Sequence, residues 1–181
     1  MRLASIEGLG SLTIGRLARE LGVSKSGVFA HFRSKQRLQL ETVAAAGEVF
    51  EREVLAPGSD APAGIARAYA LCEAYLSYID RGVFPGGCFF AQLLAEYDAQ
   101  PGPIQDQVSA GQSGWLRLLE GELHTAQQQG ELAVHLDPAQ LAFELSAPVE
   151  LANYLSVLYR DNGYVDRGRR AVRALLANAG R

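Results

Sequence analysis

The sequence predicts an all-α protein, and three observations carry that prediction. Apolar residues recur at helical spacing, clusters of turn-forming residues divide the chain, and no segment keeps the period of two that a strand needs. The turn clusters fall at 56–64 (APGSDAPAG), 82–87 (GVFPGG), 100–103 (QPGP), 130–138 and 161–163, and the intervals between them are long enough for helices.

Taken in order, residues 1–8 form a short first helix. Thr13 is placed to cap a helix over 14–20, because its hydroxyl can accept a bond from an orphan backbone N–H. Gly22 supplies a turn, Ser24 caps a short helix over 25–32, and Ser34 caps a third that runs to about residue 54. Over 63–81 the series Ile65, Tyr69, Cys72, Leu76, Ile79 steps by 4, 3, 4 and 3, which keeps one face buried. A short helix carries Phe89, Phe90, Leu93, Leu94 and Tyr97 between the GVFPGG and QPGP brackets. Ile104, Val108, Trp115, Leu119 and Leu123 mark a long helix to about residue 129. Leu141, Leu145, Leu151, Leu155 and Leu158 mark another, in which Pro148 predicts a kink or short break. A last helix over 165–178 carries Val172, Leu175 and Leu176, with Arg167, Arg169, Arg170 and Arg173 reading as its solvated face.

Composition bounds the function. A chain of 181 residues with 48% hydrophobic and 20% charged residues is expected to fold as one domain, or as one main domain with a small appendage. No stretch approaches the roughly 20 apolar residues of a membrane span, and the N-terminus lacks a signal-peptide pattern, so a cytoplasmic protein without membrane contact is expected. Cys72 and Cys88 read as core residues, too few for a disulfide framework or a zinc site. Charge is unevenly placed: residues 1–40 carry seven Lys and Arg against two acidic residues, and the remainder carries ten against eighteen. A basic head on an acidic body points to a small polyanion-binding module attached to a part with another task.

The segment TIGRLARELGVSKSGVFAHFRSKQRL over 13–38 is the most informative. Two short helices joined by a Gly-containing turn make a helix-turn-helix, whose second helix can enter the major groove of DNA. Its buried side is expected to be Leu17, Leu21, Val23, Val28 and Phe32, and its outer side Lys25, Ser26, Ala30 and His31. In Thr13, Leu17, Ala18, Gly22-Val23-Ser24, Gly27, Phe29, His31-Phe32 and Ser34-Lys35 the chain resembles the tetracycline-repressor (TetR) family of bacterial transcription regulators. The stretch GGCFF…AEYDAQPGP over 86–103 is similar to one subgroup's regulatory domain.

The resemblance implies a DNA-binding unit over 1–36 and a helical regulatory and dimerisation domain over 37–181, linked by the helix over 35–54. It makes Thr13, Ser24, His31 and Lys35 phosphate contacts and turns Lys25, Ser26, Gly27 and Ala30 to base edges. Phe29 stands on the same surface where the family usually has Tyr. The implied partners are double-stranded operator DNA, a second copy of the chain and a small-molecule effector, with the chain acting as a repressor that the effector releases. Phe90, Tyr97, Trp115 and Tyr154 are the expected lining of an effector cavity, with no charged residue marking an anchor. Sensing is expected to run through 82–103. Leu151, Leu155 and Leu158 are expected to pack against Val172, Leu175 and Leu176 of both chains in the dimer.

Two further classes stay open beside this. Residues 1–8 look like only the end of the family's first helix, which leaves a helical dimeric small-molecule-binding protein without DNA-binding activity as the alternative. An enzyme ranks below both, because no nucleophile elbow, HExxH, P-loop or dinucleotide fingerprint occurs and nothing requires a cofactor. Glu120 and His124 share a helix face, which reads as solvated surface rather than half a metal site.

Overall fold

Side-chain caps set three helix starts at the expected places. Thr13 Oγ1 accepts from the Arg16 N–H at 3.0 Å, Ser24 Oγ from the Gly27 N–H at 3.1 Å and Ser34 Oγ from the Arg37 N–H at 3.0 Å. In the computed structural model, which describes residues 1–180, these caps open α2 (Ile14–Leu21), α3 (Lys25–Phe32) and α4 (Lys35–Phe50) behind a short α1 (Arg2–Glu7). A π-helical turn over Glu51–Leu55 and a one-turn α5 (Ala56–Ser59) follow. The chain continues through α6 (Ile65–Asp80), α7 (Phe89–Tyr97), α8 (Pro103–Gln128), α9 (Pro138–Tyr159) and α10 (Gly163–Ala179). Among the described residues every regular element is helical.

Two local expectations change. The cluster at 56–64 begins as helix, because Pro57 falls in a first turn, where its missing N–H has no partner to lose. Pro148 does not break its helix: α9 runs unbroken over Pro138–Tyr159. A proline inside a helix costs about 3 kcal/mol, but α9 packs along both α10 and α6 and seals Leu145, Val149 and Ala152 on either side of the ring. Tertiary burial outweighs the lost bond.

Packing divides the chain along another line than the sequence boundary at residue 36. One compact unit is Met1–Val49 with Phe84–Ser109, and the other is Phe50–Val83 with the chain from Ala110 onward. Compactness follows contacts rather than chain order, and 84–109 makes its contacts with the N-terminal helices. The core of the first unit gathers Leu9, Leu12, Val28, Leu38, Val43, Phe89 and Leu93.

In the second unit, Leu71, Leu76, Leu119, Leu123, Leu145 and Val165 are fully buried. Its α6 starts at Gly64, which has no side chain to cap with. The Gly64 N–H instead donates to Glu122 Oε2 at 3.0 Å and the Ile65 N–H to Glu131 Oε2 at 2.9 Å, so two carboxylates satisfy the orphan donors and face the positive helix end. The arginines of α10 are not simply a solvated face. Arg169, 20% exposed, bridges Glu73 at 2.8 Å, Asp166 at 2.9 Å and Asp80 at 3.2 Å, tying α10 to α6. The Arg173 guanidinium donates to Tyr69 Oη at 2.8 Å.

The α10 residues expected at a dimer seam also differ. Val172 and Leu176 are buried within their own chain, because α10 turns that face onto α6 and α9. The exposed apolar row lies on α9 alone: Phe143, Leu151, Tyr154 and Leu158. Steps of 8, 3 and 4 keep these four on one face.

Candidate nucleic-acid interface

The turn between α2 and α3 is built on one left-handed residue. Gly22 adopts φ 65° and ψ 26°, a conformation that costs a residue with a Cβ roughly 1–2 kcal/mol, and its N–H donates to the last carbonyls of α2. The Val23 N–H returns to the Ala18 carbonyl at 3.1 Å, closing the turn. Ser24 then starts α3, where its Oγ also lies 3.2 Å from Ser26 Oγ.

Helix α3 is held from beneath by little. Val28 is its one buried residue and Phe32 is half-buried. Leu21 and Val23, expected inside, are 60% and 51% exposed at the corner of the turn, whereas Leu9, Leu12, Ile14 and Ala18 are buried. The outward surface is Ser24, Lys25, Ser26, Gly27, Phe29, Ala30 and His31, all exposed. Lys25 makes no ion pair among the described residues. Gly27 keeps the surface low: a Cβ there would meet only the Ser24 hydroxyl, at 3.2 Å. Thr13 is half-buried at the α2 end, with its hydroxyl engaged as the cap. Phe29 is 55% exposed, and the His31 ring stands edge-on to Phe32 at 4.5 Å.

Nearby charges are partly engaged. Arg16 bridges Glu7 at 2.6 Å and Glu20 at 2.9 Å, and its guanidinium holds the Glu7 carboxyl below the usual carboxylate range. Lys35 is exposed, with Nζ donating to the Gly10 carbonyl at 2.6 Å. An ammonium has three donors, so this bond leaves others for a phosphate.

The link between α1 and α2 is gripped from two helices. Gln39 of α4, buried, donates from Nε2 to the Leu9 carbonyl at 2.7 Å. Glu96 of α7 accepts from the Leu9 N–H at 2.8 Å and from the Gly10 N–H at 2.5 Å. With Lys35, three side chains therefore satisfy the backbone N–H and C=O of both Leu9 and Gly10. Before α7 the backbone itself touches α1, since a Cβ on Gly86 would lie 1.6 Å from the Ser5 carbonyl oxygen. Ser5, Gln39, Gly86 and Glu96 escaped the sequence reading. The AEYD stretch was the one signal near Glu96, and a glutamate bound to backbone amides leaves no pattern of spacing.

The expected cavity residues fall on both units. Phe90 and Tyr97, both half-buried, lie on α7 in the first unit. Trp115 is buried in the second unit, with Nε1 donating to Ser146 Oγ at 2.9 Å. Tyr154 is 41% exposed and belongs to the apolar row of α9.

An N-terminal helix-turn-helix with a polar, outward second helix agrees with two family models. Residues 1–42 match the model described as bacterial regulatory proteins, tetR family, and residues 64–172 match the tetracyclin repressor-like C-terminal domain. The chain belongs to the tetR family. It is a DNA-binding transcriptional regulator. No curated protein matches it as a relative.

Solved structures carry the same fold as this tetR-family regulator. A TetR transcriptional regulator from Chloroflexus aurantiacus superposes with a TM-score of 0.89 at 20% identity, covering 97% of this chain and 89% of that one. SCO4454, a TetR-family regulator from Streptomyces coelicolor, gives 0.82 at 22% identity, with 99% and 91% covered. A protein from Saccharomonospora viridis, solved in complex with choline, gives 0.76 at 25% identity, with 97% and 90% covered.

No group of three His, Cys, Asp or Glu among the described residues is arranged to hold a metal, and Glu120 and His124 stand 3.9 Å apart on an accessible face. Burial pushes the Cys72 thiol up to about 12, and Cys88 is buried as well. No described helix is long and apolar enough to cross a membrane.

Proposed function

We propose that the regulator is a homodimeric, cytoplasmic repressor, with a DNA-binding part over 1–36 and a regulatory part over 37–181, that leaves its operator when a small organic effector binds. The observation that carries the DNA reading is α3: one buried anchor beneath, and above it an exposed surface of Lys25, Ser26, Gly27, Ala30 and His31. Small residues let the helix approach base edges, and Lys25 is long enough to reach the guanine acceptors in the major groove. Thr13, Ser24, His31 and Lys35 flank that surface as phosphate contacts that set register, and the exposed Phe29 shares it. A regulator does this by binding, and no catalytic role is assigned to any residue.

The proposed dimer meets through the apolar row of α9, Phe143, Leu151, Tyr154 and Leu158, which a second copy would cover. Two recognition helices on a two-fold axis fit successive major grooves about 34–36 Å apart. Helix α7, with Phe90 and Tyr97, is the proposed relay, because Glu96 on it holds the Leu9-Gly10 link of the DNA-binding part. Trp115 is proposed to line the effector site. An effector releases DNA only if it binds the released state more tightly than the bound one.

An electrophoretic mobility shift with the DNA upstream of the chain's own gene tests this reading. Retardation by the wild-type chain that is lost in a variant lacking residues 25–32 is expected. A wild-type chain that retards no upstream fragment would leave the alternative, a ligand-binding protein without DNA activity.

A further inference from the structure

Three rings of the second unit stand at right angles to one another. Phe50, at the end of α4, lies 5.2 Å from Tyr75 of α6 at 89°, and 6.1 Å from Trp115 of α8 at 82°. Tyr75 and Trp115 are 5.4 Å apart at 88°. Three mutually perpendicular rings form a corner, and Tyr78 extends it at 5.9 Å from Phe50. Against this corner stands the carboxyl of Glu150, one turn beyond the Ser146 that accepts the Trp115 N–H. Its Oε1 takes a long bond of 3.4 Å from Tyr75 Oη. Its Oε2 is sealed from solvent with no hydrogen-bond partner.

Other acids of this unit show what is missing. Glu122 is paired with Arg67, Glu73 with Arg169 and Glu53 with Arg81, whereas Glu150 has no ion-pair partner among the described residues. A buried carboxylate is costly to ionise without a counter-charge. Burial accordingly pushes the Glu150 carboxyl up, with the Tyr75 hydrogen bond opposing it.

From these two features together the geometry points to a receptor for an organic cation, with Phe50, Tyr75 and Trp115 as its aromatic walls and Glu150 as its counter-charge. This rests on the effector-regulated reading above and names the effector's class: a quaternary or fully alkylated ammonium. Ring faces attract a diffuse cation by cation–π interaction, best in a desolvated site. A primary ammonium would bring three donors to a site whose free acceptors are the Glu150 oxygens, whereas a quaternary head brings none to satisfy.

Trp115 is the only tryptophan of the chain, so intrinsic fluorescence reports on this corner. The full chain is titrated with phenyltrimethylammonium and with its uncharged isostere tert-butylbenzene. A saturable change of Trp115 emission with the cation, and binding of the isostere at least tenfold weaker, are expected. Glu150→Gln keeps the shape, and it should weaken the cation at least tenfold while leaving the isostere unchanged. Equal binding of cation and isostere, no binding of the cation, or equal loss of both in Glu150→Gln overturns the receptor. If that variant loses its helical circular dichroism, the cation–isostere comparison on the wild type decides alone. A parallel operator shift separates the readings. Cation binding without operator binding sinks the repressor and leaves the receptor, and operator binding without cation selectivity does the reverse.

Discussion

Glu96 and Gly10 are hydrogen-bonded across 86 positions of sequence, through the carboxylate of one and the backbone N–H of the other. The same carboxylate takes the Leu9 N–H, so one side chain of α7 fixes the peptide that leads from α1 into the helix-turn-helix. A carboxylate bound by two amides is a strong acceptor, and moving α7 must either carry that peptide along or leave two donors unpaired.

Replacing Glu96 with Ala should therefore cost about 1–3 kcal/mol in urea unfolding, the usual penalty for stranded donors. It should also weaken operator binding although Glu96 lies outside the recognition helix. Glu96→Gln retains one carbonyl acceptor and should lose less of both. Operator affinity unchanged in Glu96→Ala would show that this grip does not position the recognition helix.

Lys25 and Lys35 are expected to differ on DNA. Lys25→Ala should relax preference at one base pair by about 1–3 kcal/mol, whereas Lys35→Ala should weaken all sequences alike and flatten the salt dependence. Lys35 also holds the Gly10 carbonyl, so its variant should loosen the Leu9-Gly10 link, visible as faster amide exchange there. Uniform, sequence-independent losses from both variants would remove Lys25 from the base-reading set.

The helix order and the caps at Thr13, Ser24 and Ser34 were legible because each rests on a local rule: periodic apolar residues, or a hydroxyl before a helix. The outward placement of Lys25, Ser26, Ala30 and His31 was legible for the same reason. What escaped depends on distant pairings. Glu96 with Leu9 and Gly10, Gln39 with Leu9, and Glu150 with Tyr75 join residues 30 to 87 positions apart, and no single-helix pattern marks them. At Pro148 a break was one of the expectations and does not occur, because the local cost was visible in the sequence and the packing that outweighs it was not. Val172 and Leu176 misled because a helix stripe shows that a face is covered without saying by which chain.

That last point gives a sharper test of the dimer. Leu158 is 68% exposed, so Leu158→Glu removes little packing within its own chain and should elute as a folded monomer on a sizing column. Leu151→Glu should behave alike. Val172→Glu places a charge in a core position of α10 and should unfold the chain rather than dissociate it. Dimers persisting in both leucine variants would move the interface off α9.

Glu150 sets a pH dependence whose sign follows from burial. Its folded-state carboxyl is raised above the value of about 4.3 for a free glutamate, chiefly by desolvation. Below that unfolded value both states carry the proton, and the residue imposes no ionisation penalty. As pH rises, the unfolded chain releases its proton first and then binds fewer than the native state, so stability falls until the folded carboxyl has also titrated. The contribution is thus fully present in acid and lost toward neutral pH. Glu7 and Glu53, lowered by Arg16 and Arg81, contribute in the opposite sense, but they are common to any Glu150 variant and cancel in the comparison. Glu150→Gln, which cannot ionise, should gain stability over the wild type as pH is raised above the free-glutamate value in urea unfolding, and the gain should level off only once the folded carboxyl has titrated. A difference that stays flat or shrinks with pH would mean that the Glu150 carboxyl is solvated in the native protein, and the counter-charge role assigned to it would fall with that result.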